Sequence, residues 1–125
     1  MIADTTFASD LIRERRRGRL GPAAHFFNQQ RAQHVRLTII TAGELWPLFN
    51  SATDALRWFD DWSIYRVHMG IVEAAGEIDR ALIATGERLG ENDNWIAGFA
   101  RYYREPVISR DKAFDRAPGV RRLAY

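Results

Sequence analysis

The stretch Arg36-Leu37-Thr38-Ile39-Ile40-Thr41-Ala42-Gly43-Glu44 changes periodicity halfway along. Residues 36–40 are β-branched and bounded by polar residues, which predicts a strand. Thr41-Ala42-Gly43-Glu44 then opens a helix. Pro47 would remove a backbone bond to the Gly43 carbonyl, so that helix is expected to kink early. A strand that runs straight into a helix is the repeating unit of a parallel α/β sheet.

The same alternation extends to both sides. Met1 to Ala3 is a short apolar first strand, followed by Asp4-Thr5-Thr6 and a helix marked by Phe7, Leu11 and Ile12. A second helix is expected over Pro22 to Gln33, with Pro22 in its first turn. Thr53 to Trp62 reads as a helix and Ser63 to Val67 as a strand. Ile71, Ala75, Ile78 and Leu82 keep helical spacing up to Gly86, a natural stop. A further helix starts near Asn92-Asp93 and carries Ile96, Phe99, Ala100 and Tyr103 on its apolar side. Pro106 to Ser109 and Val120 to Ala124 close the chain as strands. The prediction is an α/β fold, a mainly parallel central sheet with helices on both faces, in one domain over residues 1–125.

Composition narrows the function. The chain has 125 residues and 46% hydrophobic content, enough for one core. It has no cysteine, which excludes disulfides, zinc-thiolate sites and thiol nucleophiles. No run approaches the ~18 apolar residues of a membrane span, and no signal-peptide core opens the sequence, so a cytoplasmic protein is expected. Net charge is +2, yet Lys112 is the sole lysine among the 18 basic residues. Arginine pairs bidentately with phosphate and stacks on bases, which suits RNA. The densest run, Arg13 to Arg19, reads equally as a solvated helix end. His25, His34 and His68 are scattered without metal-ligand spacing and read as structural or surface residues.

Asp4, Glu44, Asp93 and Asp111 each fall where a strand ends or a helix begins. The carboxyl ends of the strands form the ligand crevice of an open α/β sheet, so distant carboxylates can converge there. Such a cluster suits Mg²⁺ or Mn²⁺. Each residue also has a local explanation. Asp4 and Asp93 could cap helices, Glu44 could close a capping box with Thr41, and Asp111 could serve a turn. None of these explains why all four should share one side of the sheet.

Asp4-Thr5-Thr6-Phe7 resembles the opening aspartate motif of PIN-domain ribonucleases, and Leu37 to Leu45 is similar to the family's strand-then-glutamate segment. Glu91-Asn92-Asp93-Asn94-Trp95-Ile96-Ala97, then Ser109-Arg110-Asp111-Lys112-Ala113-Phe114-Asp115, resembles the "N-D-x-x-I-A … S/T-R-D/N-x-x-F" order of VapC-type toxins. The resemblance spans the chain and implies a PIN-like three-layer sandwich. It implies a metal-dependent endoribonuclease acting on structured RNA, a tRNA or an rRNA loop. Asp4, Glu44, Asp93 and Asp111 would hold Mg²⁺ or Mn²⁺, with Asp111 the weaker ligand. Thr5 and Ser109 would orient a carboxylate or water, and Asp115 would be a supporting or substitute ligand. The implied partners are a small cognate antitoxin and a second copy in a homodimer. Departures are minor: Ala8-Ser9 replaces a Leu-Ile pair, Thr6 stands where Asn or Ser is common, Ser109 replaces Thr, and Pro47 closely follows the glutamate.

The aromatic stretch Trp46, Phe49, Trp58, Phe59 and Trp62 reads as core, any exposed part being a candidate dimer or antitoxin surface. Alternative readings are a catalytically silent PIN-like binding module and a housekeeping RNA-processing nuclease. A phospho-acceptor domain would need an acceptor aspartate ending a central strand, whereas Asp54, Asp60 and Asp61 lie in a helical stretch.

Overall fold

The computed structural model describes residues 1–30 and 34–125. Its strands are β1 (Ile2–Ala3), β2 (Leu37–Thr38), β3 (Ile64–Tyr65), β4 (Val107–Ile108) and β5 (Arg122–Leu123). Its helices are α1 (Thr5–Arg16), α2 (Pro22–Gln29), α3 (Ile39–Leu45), α4 (Ala52–Phe59), α5 (Met69–Thr85) and α6 (Glu91–Tyr103). Short 3₁₀ turns follow α3 at Trp46–Leu48 and β4 at Lys112–Arg116.

Every strand pairing is parallel. β1 pairs with β4, β4 with β5, and β2 with β3. A parallel bridge between Ile2 and Arg36 joins the two groups, with Ala3 N–H donating to the Arg36 carbonyl at 2.9 Å. The order is therefore β3-β2-β1-β4-β5, and the direction of succession reverses beside β1. That reversal is the topological switch point, where ligand crevices form.

Strand alternation explains the three layers. Successive side chains leave a strand on opposite faces. Ala3 and Ile108 join Phe7, Leu11, Ala23, Leu45 and Phe59 in one buried cluster under α1 to α4. Ile2 and Val107 join Ile71, Ile78, Ile96, Phe99 and Phe114 in the other, under α5 and α6. Helices thus cover both faces, as the periodicity predicts.

The differences lie at element ends. The predicted strand over 36–40 stops at Thr38, and Ile39 and Ile40 begin α3. Thr38 causes the switch: its Oγ1 accepts the Thr41 N–H at 3.1 Å and caps the helix. An N-cap outweighs the modest β preference of two isoleucines. Pro47 acts as expected, since α3 ends at Leu45 and the chain tightens into a 3₁₀ turn. The helix expected over Pro22 to Gln33 runs to Gln29, and 31–33 lie outside the described residues. The helix expected over 53–62 is Ala52–Phe59, capped by Ser51 Oγ. Each of the other expected strands shortens to two residues.

The Arg13–Arg19 run forms the end of α1, stopped by Gly18 at φ +63°. Two of its cations are engaged in packing: Arg15 lies over Phe27, and Arg16 over Phe49 while donating to the Leu48 carbonyl at 2.8 Å. Trp46 is the most exposed residue of the aromatic stretch, stacked on buried Phe59. Phe49, Trp58 and Trp62 pack partly buried against the core.

α5 and α6 approach closely at Gly98. A Cβ placed there would sit 2.7 Å from the Ala75 Cβ and 3.0 Å from its backbone. The Gly98→Ala variant is expected to lose about 1–3 kcal/mol of stability through overpacking, read as a lower urea midpoint with unchanged m-value. An unchanged midpoint would mean that α5 and α6 are not packed this tightly.

Candidate metal centre

The four acidic residues reach one end of the sheet by different routes. Asp4 ends β1, and Asp111 follows β4, so both stand at the switch point. Asp93 occupies the first turn of α6, whose chain runs back toward β4. Glu44 lies near the end of α3 and is tied to the start of α1 by the Thr5 hydroxyl, which donates to its Oε1 at 2.5 Å.

Asp4 is buried, at 3% exposure, with both oxygens engaged. One accepts the Phe7 N–H at 2.7 Å and so caps α1. The other accepts the Ser109 hydroxyl, across the β1–β4 pair. Burial pushes the Asp4 carboxyl up to about 6, against the pull of the Ser109 and Phe7 hydrogen bonds. The nearby charges of Asp93 and Asp111 push the same way. Burial also raises Asp93, as do Asp111 and Glu44. Asp4 thus lies within the field of Asp93 and Asp111, and Asp93 within that of Asp111 and Glu44.

The local explanations separate at this point. Capping accounts for Asp4, and Asp111 accepts the Ala113 N–H at 2.8 Å at the head of a 3₁₀ turn. Capping does not account for Asp93, because Gly90 is the N-cap of α6. Nor does a Thr41 box account for Glu44, because Thr38 caps α3.

Two supports escaped the sequence reading. Asp115 is engaged bidentately by Arg122, Nε and Nη2 each donating at 2.9 Å, which holds its carboxyl below the usual range. Arg122 also donates to the Ser109 carbonyl at 3.1 Å, so the pair braces the strand end that carries Ser109. Arg110 is clasped by Asp10 and lies over the Tyr125 ring, whose hydroxyl donates to Asp10 at 2.9 Å. Asp10 lies 100 residues from Arg110 and 115 from Tyr125, and no motif in the sequence announces either pair of contacts. Elsewhere, His25 contacts Gln29 and His68 caps α5. Asp54 and Asp60 sit at the two ends of α4, away from any strand terminus.

The acidic group suits a hard cation in charge and donor type. Among the described residues no Arg, Lys or His forms a salt bridge to Asp4, Glu44, Asp93 or Asp111. Nor are any three His, Asp or Glu side chains among them placed to hold an ion together as they stand. Unpaired carboxylates repel one another and hold apart, and oxygen donors of this kind match Mg²⁺ or Mn²⁺.

The fold and this site define a parallel α/β domain with a group of acidic residues at its switch point. A model of the PIN domain matches residues 1–120, and the chain belongs to the PIN domain family. No curated protein sequence matches it significantly. Among solved structures, a chain of VapBC2 from Rickettsia felis, bound to a DNA fragment from the promoter, superposes with a TM-score of 0.84 at 16% identity, covering 99% of this chain and 97% of that one. DNA-bound VapBC from Salmonella typhimurium gives 0.81 at 21%, covering 98% and 96%. VapBC-5 from Mycobacterium tuberculosis, of the VapBC family of toxin-antitoxin systems, gives 0.62 at 26%, covering 73% and 82%. The expected three-layer PIN sandwich is the observed fold.

Ser109 offers a direct check on the site. Ser109→Ala would remove a buried donor to Asp4, and partners of this kind are worth about 10- to 100-fold in metal affinity or activity. RNA cleavage by that variant is expected to fall in this range, with metal dependence shifted to higher concentration. Wild-type metal dependence would rule out an orienting role.

Proposed function

We propose that the protein is a Mg²⁺- or Mn²⁺-dependent endoribonuclease, the toxin of a VapBC-type pair, cutting structured RNA such as a tRNA or an rRNA loop in the cytoplasm. The observation that carries this reading is the group of four acidic side chains, none in a salt bridge among the described residues, at the switch point of a PIN fold. Asp4, Glu44, Asp93 and Asp111 are the residues that would hold the ion. When bound, the ion supplies a Lewis acid for the scissile phosphate and activates water near neutral pH. Ser109 and Thr5 fix the orientation of Asp4 and Glu44 by hydrogen bonds. Asp115 acts through Arg122, bracing the Ser109 backbone. No side-chain nucleophile is required. The VapBC likenesses support a small cognate antitoxin as partner, and the exposed Trp46 face is available to it or to a second copy in a homodimer.

Total cellular RNA incubated with the folded, antitoxin-free protein should yield discrete fragments with Mg²⁺ or Mn²⁺ and none with EDTA. Intact RNA under both metals would sink the nuclease reading.

A further inference from the structure

α1 carries opposite charges at its two ends. Asp4 caps its start and Arg17 its end, so its 12 residues hold the acidic group about 18 Å from the basic run. Residues 13–19 carry five arginines against one glutamate, a local excess larger than the net +2 of the whole chain. Cations suit the last turn of a helix, but Arg19 lies past the end of α1. Glu14, the acid of the run, is occupied at the start of α2, where its carboxylate accepts the Ala23 N–H at 3.1 Å and the Ala24 N–H at 2.7 Å. A groove of 350 Å³ opens between the end of α1 and α2. Leu11 and Ala24 are its buried apolar floor, and Arg15, Arg19 and Asn28 are exposed along it. No carboxylate is among its described lining residues. Arg15 lies over the Phe27 ring, 5.3 Å from the centroid, a contact that holds the cation in place without neutralising it. Neither Arg15 nor Arg19 forms a salt bridge among the described residues.

We propose that this groove grips the sugar–phosphate backbone of the RNA substrate, Arg15 and Arg19 each pairing with a phosphate and the Asn28 amide donating beside them. The proposal rests on the ribonuclease reading, and the charge pattern favours a polyanion. Without a bound ion the acidic group repels phosphate, so attraction for RNA has to come from another part of the surface. Arginine forks match phosphate oxygens bidentately, and both guanidinium groups here are open to solvent. The length of α1 sets this contact on RNA that flanks the cut, not at the cut itself. Phosphate contacts fix the position of a nucleic acid and carry no sequence information. The groove therefore orients a structured RNA against the acidic group and treats different sequences alike.

The test is binding of a fluorescein-labelled RNA hairpin to the full chain in EDTA, where no cutting occurs, over a series of KCl concentrations. The double variant Arg15→Gln/Arg19→Gln should bind at least about tenfold more weakly than the wild type at low salt, with the slope of log affinity against log salt reduced by about two. A hairpin of unrelated sequence should lose the same amount. Arg80→Gln is the control, since Arg80 is exposed on α5 and 3.6 Å from Glu77, and it should bind as the wild type does. Circular dichroism checks that the variants are folded. Should the loss of Arg15 from Phe27 unsettle the fold, Arg19→Gln alone, in the exposed loop, should reduce the slope by about one. Equal affinity and slope in variant and wild type, or an equal loss in Arg80→Gln, overturns the assignment. So does a wild type that ignores the hairpin; if it binds poly-glutamate through these arginines instead, the groove is a site for an acidic protein. Parallel incubation of the wild type with total RNA and Mg²⁺ separates these outcomes from failure of the nuclease reading itself.

Discussion

RNA cleavage by an Asp93→Asn variant is expected to fall by on the order of 10³-fold, with the fold intact. The substitution keeps size and shape and removes one negative charge. Asp93 is the cleanest of the four positions to test, because its local explanation fails: Gly90, not Asp93, caps α6. Its remaining structural role is a favourable charge in a first turn, worth about 0.3–1 kcal/mol. Against that, the variant relieves repulsion from Asp111 and Glu44. Stability should therefore stay level or rise while activity collapses. Asp115→Asn is the matched control, since that carboxylate is half-exposed and engaged by Arg122. Its loss should be far smaller. Cleavage by Asp93→Asn within tenfold of the wild type would remove Asp93 from the site and, with it, the four-carboxylate reading.

The legible parts of the sequence were those set by local chemistry. Ile71, Ala75, Ile78 and Leu82 point to one side of a helix that stops at Gly86, and α5 does so, with Gly86 at φ +70°. The positions of Asp4 and Asp111 beside a strand end follow from the alternation of elements alone. Strand lengths were not legible. Two isoleucines after Leu37-Thr38 read as strand, yet a threonine hydroxyl at the boundary turned them into helix. Glu44 was placed by pattern, but its contact with Thr5 depends on α3 meeting α1, which neither segment encodes alone. Arg122 and Arg110 were invisible for a related reason. Their partners, Asp115 with Ser109 and Asp10 with Tyr125, meet only when the sheet and α1 are assembled.

An Asp4→Asn variant is expected to be more stable than the wild type at pH 8 and about equally stable near pH 4, while losing cleavage. Asp4 titrates near 6 in the folded chain against an ordinary 3.8. A carboxyl with the higher value when folded binds its proton more tightly there, so its contribution is full below about pH 4 and is lost as pH rises through about 6. At 1.36 kcal/mol for each pH unit, the gap reaches about 3 kcal/mol above pH 7. Asparagine escapes this cost because it is neutral at every pH and preserves the geometry: its carbonyl can accept from Phe7 N–H while its amide donates to Ser109 Oγ. Divalent cation should close the gap from the other side. Binding to the folded wild type at a hundred times its Kd adds about 2.7 kcal/mol, and the variant, short of one ligand, should gain much less. Urea unfolding of both proteins at pH 4 and pH 8, in EDTA and in Mg²⁺, reads all of this. A stability difference that does not widen with pH would show that Asp4 is not a strained carboxylate. A wild type indifferent to Mg²⁺ and Mn²⁺ would show that the strain is not held for a metal.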